Sequence, residues 1–399
     1  MNLFVGHLTY CTNIHPGESW ADHFAAIQQN FPQIKRELSP HAQMGIGLRL
    51  SNQASIEILM GDNLQHFQQW LKETSAYVFT MNGFPYGGFH HTRVKDQVHA
   101  PDWTTTNRLA YTLRIFRILS ALLPEGIDGG ISTSPLSYKP WFATIQAMEE
   151  AQLSATQNIL LVAEELHHLN QQTGQSLHLD IEPEPDGILE TGREFIDWYE
   201  GVLIPLGIKH FAEKLSLTAT EAERLIKQHV MLCYDVCHFA IGYEPHQQVI
   251  DELAEKGITV GKIQISAALK AKFTFENKAE VMEAFAGFDE PTYLHQVIAK
   301  RADGELVRYP DLVDALLLKD DADEWRAHFH VPVFMADFGL LQSTRPDIET
   351  VLDIQLKQPF TNHLEVETYT WTVLPEGLKA PMDKSITREL KWVINKLTH

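Results

Sequence analysis

Met231-Leu-Cys-Tyr-Asp-Val-Cys-His238 reads as a buried strand that ends in Asp235, with His238 three residues further on. In a parallel β/α barrel the chemistry collects at the C-terminal ends of the strands, and Asp-x-x-His there offers a hard oxygen and an imidazole to one point in space. The stretch predicts half of a metal site at a barrel mouth. A chain with 20 histidines also produces such a spacing by chance, so other strands must supply the rest.

Outward from that stretch the chain alternates between strand and helix patterns. Strands are predicted at 3–10, 44–50, 76–82, 130–134, 177–182, 231–235, 258–266, 326–334 and 364–371. Between them run helical patterns, such as Trp20, Phe24, Ile27 and Phe31 at helical spacing, or the long segment 141–170 with Gly174 placed as a C-cap. This alternation predicts an α/β fold, a (β/α)8 TIM barrel formed by 1–399 as a single domain. An open doubly wound sheet is second, because no Gly-x-Gly-x-x-Gly follows any strand. Nine candidates for eight places leave 326–334 or 130–134 outside the barrel. The segment 267–325 has helical pieces and no clear strand, and is expected to be a large, mostly helical insertion after strand seven.

Composition narrows the partners. The 399 residues carry 32 Lys and Arg against 52 Asp and Glu, a net charge of −20. That balance repels a phosphate backbone, so a small-molecule partner is expected and nucleic acid is not. Cys11, Cys233 and Cys237 form no disulfide framework or zinc-finger spacing and are expected as reduced core residues. The N-terminus lacks a basic n-region, and no run approaches the ~18 to 20 apolar residues of a membrane span, which gives a cytoplasmic default without membrane insertion. Homo-oligomerisation stays open.

Side chains alternate across a strand, so each strand can be split by parity. The strand at 177–182 puts His178, Asp180 and Glu182 on one face. That at 258–266 groups Lys262, Gln264 and Ser266; 326–334 groups Arg326, His328 and His330; 364–371 groups Glu365, Glu367, Tyr369 and Trp371. In a barrel jacketed by helices the apolar faces meet the helices, and these polar faces line the interior. So many buried ionisable groups are costly unless they are paired or hold a cation. A divalent ion resolves the conflict, and carboxylates with imidazole suit Zn, Mn, Co or Mg. The competing reading, a salt-bridge network, has only Lys262 and Arg326 on these strands as cations. The glycine- and aromatic-rich loop 83–91, directly after the third strand, is expected to wall or cover the mouth.

Glu on strand five, Asp-x-x-His on strand six, a polar residue on strand seven and Glu on the last strand resemble the xylose isomerase-like barrels. More narrowly, Thr9-Tyr-Cys-Thr-Asn-Ile-His-Pro-Gly-Glu18, Thr80-Met-Asn-Gly-Phe-Pro-Tyr-Gly87 with Phe89-His90, Val94-Lys95 and Pro101-Asp-Trp103, Ile131-Ser-Thr-Ser-Pro135 and Glu365-Val-Glu-Thr-Tyr-Thr-Trp371 resemble the EboE family of "metabolite traffic" proteins. The resemblance implies that Glu182, Asp235 and Glu367 are metal ligands, with Gln264 where many members have a ligand histidine. It further implies an isomerase or epimerase acting on a sugar or cyclitol, with Glu182 and Glu367 exchanging a proton α to a carbonyl through an enediolate. His238, His328, His330, Lys139, Asn82 and His15 are the expected substrate contacts. A metabolite carrier that has lost the chemistry is the alternative, and an endonuclease IV-like phosphodiesterase ranks below both.

Overall fold

The computed structural model describes residues 1–89, 94–318, 321–372, 374 and 381–398. Eight parallel strands run in chain order as β1 (Gly6–Tyr10), β2 (Met44–Arg49), β3 (Ala76–Asn82), β4 (Gly129–Thr133), β5 (Leu177–Ile181), β6 (Val230–Asp235), β7 (Val260–Ile265) and β8 (His363–Val366). Each pairs with its neighbour in sequence from β2 to β8, and β8 returns to β1 through His363 beside His7. The seam between β1 and β2 is held more lightly, by a parallel bridge from Cys11 to Gly47 and by Thr9 Oγ1 donating to the Gly45 carbonyl at 2.9 Å. The result is a nearly closed (β/α)8 TIM barrel.

Local sequence explains why the helices start where they do. Ser19, Ser51, Thr105, Thr144, Thr191 and Thr218 each cap a helix by accepting an N–H of its first turn. Gly174 ends the 29-residue helix Ile145–Thr173 at φ 73°, in the left-handed region that glycine enters without a steric cost. The outward residues of the strands, such as Leu177, Leu179 and Ile181 of β5, are fully buried beneath these helices. That leaves the polar parity of β5, β7 and β8 facing the barrel axis.

Of the two strands that competed for exclusion, 130–134 belongs to the barrel and 326–334 does not. Glu324–Val331 lies in a second, six-stranded antiparallel sheet with Leu306–Tyr309, Val297–Lys300, Ala267–Lys272, Leu341–Ser343 and Asp337–Phe338. The expectation of a mostly helical insertion without strands at 267–325 is corrected here. Among its described residues only Lys278–Ala286 and Leu312–Leu318 are α-helical. Ala267–Lys272 is an Ala- and Lys-rich run with weak intrinsic strand preference, and it becomes a strand because Glu324–Val331 pairs with its backbone. The sheet leaves the barrel at the top of β7, two residues after Ile265, and so stands over the mouth. The last barrel strand also ends earlier than expected, at Val366; Tyr369 and Trp371 lie in a 3-10 turn, Tyr369–Thr372.

Candidate metal centre at the barrel mouth

Glu182 follows the last residue of β5, Asp235 ends β6, Gln264 lies in β7, and Glu367 follows β8. Parity turns all four inward at the C-terminal end, where they meet. One carboxylate oxygen from each of Glu182, Asp235 and Glu367 lies within 4.8 Å of the others. Gln264 places its amide nitrogen among them, 3.1 Å from Glu182 Oε1, 3.1 Å from Asp235 Oδ2 and in contact with Glu367 Oε2. Its oxygen faces away, toward the Cys233 thiol. The side chain expected as an oxygen ligand thus presents N–H, and an oxygen donor there requires a half-turn of the amide.

Two amide hydrogens cannot satisfy three carboxylates. Neighbours help unevenly. Asp235 Oδ1 accepts from Ser266 Oγ at 2.6 Å and from the His238 backbone N–H at 3.2 Å. Glu367 Oε1 accepts from Asn13 Nδ2 at 2.6 Å and from Asn82 Nδ2 at 2.9 Å. Glu182 is the least supported: its Oε2 is buried with no hydrogen-bond partner. Burial, then the charges of Asp235 and Glu367, push the Glu182 carboxyl well up. Burial, then Asp235 and Glu365, push Glu367 up to about 8.

Among the described residues no lysine or arginine enters this cluster. Lys262 points one layer deeper, to Glu365 Oε2 at 2.5 Å and Ser132 Oγ at 2.8 Å. Arg326 belongs to the second sheet, where it bonds Glu324 at 2.8 Å and lies over the Tyr243 ring. Three buried carboxylates with oxygens within 4.8 Å of one another, one oxygen orphaned and no internal cation among the described residues, fit a divalent ion in charge and in donor type.

Above the cluster opens a cavity of about 60 Å³. Phe84, Phe89, Tyr293 and Tyr369 form an apolar wall, while His238, His328, His330 and Asn82 line it from the polar side. The loop after β3 therefore does reach the mouth as far as Phe89; His90 and His91 lie outside the described residues. His238 Nδ1–H donates to the Pro183 carbonyl at 2.9 Å, and His328 Nδ1–H donates to Gln296 Oε1 at 2.8 Å. Gln296 is held in that orientation by its own N–H bond to the Pro185 carbonyl at 3.1 Å. Both Nε2 lone pairs then face each other at 3.1 Å, a pairing completed by a shared proton or by a donor or cation from a ligand.

Two expected substrate contacts are not brought to this cavity. Lys139 Nζ is held by Glu190 at 3.1 Å and Glu194 at 2.8 Å on the rim, because those carboxylates lie beside it and a long flexible cation follows the nearest charge. His15 is buried against the Tyr10 hydroxyl at 3.1 Å. Conversely, Asn13, Glu184, Gln296 and Tyr293 line the cavity without having been singled out. Glu184 shares the parity of Glu182 two residues earlier and was readable in principle; Gln296 and Tyr293 come from the second sheet and its loop, which carried no strand signal.

No family model matches the chain, and no curated protein does. Among solved structures it is similar to the IolI protein with a bound zinc atom, at 12% identity over 98% of each chain with a TM-score of 0.48. It is also similar to a xylose isomerase-like TIM barrel protein from Mycobacterium smegmatis in complex with magnesium, at 10% identity over 94% of this chain and 89% of that one, TM-score 0.48. A third is the probable 3-DHS dehydratase AsbF from Bacillus anthracis, at 10% identity over 98% and 99%, TM-score 0.45. The fold rests on the strand order, and the functional argument on the side chains.

Proposed function

We propose that the protein is a metal-dependent isomerase or epimerase of a sugar or cyclitol-like metabolite, of the EboE type. The observation that carries this reading is the convergence of Glu182, Asp235 and Glu367 at the barrel mouth, without an internal cation among the described residues. These three would hold a divalent ion, joined by Gln264 once its amide has turned. When bound, the ion supplies Lewis-acid polarisation of adjacent substrate oxygens.

The remaining work falls to side chains. Glu182, whose outer oxygen has no hydrogen-bond partner, takes the proton from the carbon next to the carbonyl; the C–H electrons pass into the carbonyl to give an enediolate. Glu367 returns a proton, to the neighbouring carbon in an isomerisation or to the opposite face in an epimerisation. Burial and the neighbouring carboxylates push both carboxyls up in the metal-free protein, and the ionised form of Glu182 that proton abstraction requires would be favoured beside a bound ion. The facing imidazoles of His238 and His328 accept a substrate hydroxyl, and the aromatic wall packs against the apolar face of a ring. Incubation of the metal-loaded protein with cyclitols and ketoses in deuterated water tests this. Deuterium is expected at the α carbon of a substrate and absent with Glu182→Gln.

One observation favours the carrier alternative: Gln264 N–H stands at the centre of the carboxylates, where it partly does an ion's work. A protein that binds such metabolites but never exchanges the α hydrogen supports it. The phosphodiesterase reading has less support, since among the described residues the one lysine lining the cavity, Lys95, is tied to Asp311 at 2.6 Å.

A further inference from the structure

The opposite end of the barrel holds a second constellation. Asp128 precedes β4, His178 is the second residue of β5, and His363 opens β8, so all three sit at the N-terminal mouth. One ligand atom from each lies within 4.8 Å of the others. His363 is fully buried, and both of its ring nitrogens lack a hydrogen-bond partner. His178 Nδ1–H donates to Asp180 Oδ1 at 2.6 Å, which leaves the Nε2 lone pair of His178 directed to Asp128 Oδ2 at 3.8 Å. His363 Nε2 stands 3.5 Å from Asp128 Oδ1. These last two separations are too long for hydrogen bonds. Two ligands on one tetrahedral ion with ~2.0 to 2.1 Å bonds stand about 3.3 to 3.4 Å apart, close to what is found.

The surroundings also match. A carboxylate behind a ligating imidazole, as Asp180 stands behind His178, is the usual outer partner of a zinc-bound histidine. Two strands give up side chains to make room for that pair: a Cβ on Gly261 would sit 1.9 Å from Asp180 Oδ1, and one on Gly130 would sit 2.3 Å from His178 Cε1. A groove of about 270 Å³, lined by Asp128, His178, Gly261 and Thr361 among others, leads to the place from solvent.

We infer that Asp128, His178 and His363 bind a divalent transition metal of the zinc class, with solvent from the groove as the fourth ligand. The site ties β4, β5 and β8 together at the end of the barrel remote from the substrate cavity. Two imidazoles there favour zinc over magnesium or manganese.

The test uses the full chain with Glu182→Gln and Asp235→Asn together, which disables the upper cluster, and Zn²⁺ alone as the probe. One zinc per chain is expected by elemental analysis after dialysis. Cobalt substitution is expected to give the visible absorption of a four-coordinate ion. Adding His363→Asn should weaken zinc binding by at least the roughly 10 to 100-fold that even an outer partner's loss costs. If the double variant does not fold, Asp128→Asn in the otherwise unchanged chain, at a partly exposed loop residue, should lower zinc uptake by one equivalent. Absence of zinc in the double variant when folded, or zinc uptake indifferent to both His363→Asn and Asp128→Asn, overturns the inference and leaves a proton as the only occupant.

Discussion

Two layers of the barrel interior, a few ångströms apart along the axis, handle buried charge in opposite ways. In the middle layer Glu365 meets Lys262 at 2.5 Å, both fully buried, and Ser132 takes another of the ammonium's hydrogens. In the upper layer Glu182, Asp235 and Glu367 share one amide and a few neutral donors, with no cation among the described residues. The same strands, β7 and β8, serve both layers two residues apart. The middle layer has its charge paired as folded, although Glu365 Oε1 is buried with no hydrogen-bond partner. The upper layer keeps three converging carboxylates with no cation beside them among the described residues, and burial with mutual repulsion pushes Glu182 and Glu367 up, which is the condition expected where a ligand is to be held.

The sharpest way to break this contrast is Lys262→Met, which strands the Glu365 carboxylate in the core. Loss of one partner from a buried pair costs about 3 to 5 kcal/mol, measurable by urea denaturation, and Lys262→Met with Glu365→Leu should recover most of it. A cost below about 1 kcal/mol for the single change would mean that the middle layer is not held by its ion pair.

A buried carboxylate outside the barrel gives a reference for charge without a cation. Glu389 accepts from Thr368 Oγ1 at 2.7 Å, the Val333 N–H at 3.2 Å and Trp371 Nε1 at 3.4 Å, and burial still pushes it up to about 7. Its folded pKa lies above the unfolded value, so the folded state holds the proton more tightly. Its contribution to stability is full below about pH 4.5 and is lost as pH rises through about 7. The span corresponds to about 3 kcal/mol. Glu389→Gln should flatten the fall in stability between those pH values by that amount, read from denaturation midpoints across the range; an unchanged slope would place the raised pKa elsewhere.

For the upper layer, Mn²⁺ at 100 times its dissociation constant should raise unfolding stability by about 2.7 kcal/mol. The increment should vanish in the Glu182→Ala, Asp235→Ala double variant, and its survival there would remove the upper cluster as the ion's holder. The smallest effect is expected from Asn82→Ala, which removes one of two amide donors to Glu367 Oε1 and should cost about 1 to 2 kcal/mol of stability in metal-free protein.

The period-2 alternation of 177–182, 258–266 and 364–371 sufficed to place Glu182, Gln264 and Glu367 on inward faces, and Asp-x-x-His sufficed to place Asp235 at a strand end. That information is local: which face a residue takes depends only on the pleat and on which face is apolar. Helix starts were legible for the same reason, since a capping Ser or Thr acts on the turn beside it. Tertiary structure decided what depends on partners distant in sequence. Ala267–Lys272 is a strand only because Glu324–Val331 lies beside it, and His328 reaches the cavity only because that sheet overhangs β7. Lys139 left the cavity for Glu190 and Glu194, and Lys262 chose Glu365 rather than the upper cluster, each through distances that no spacing in the chain encodes. The orientation of the Gln264 amide is of the same kind: three carboxylates from three separate strands turn its N–H inward.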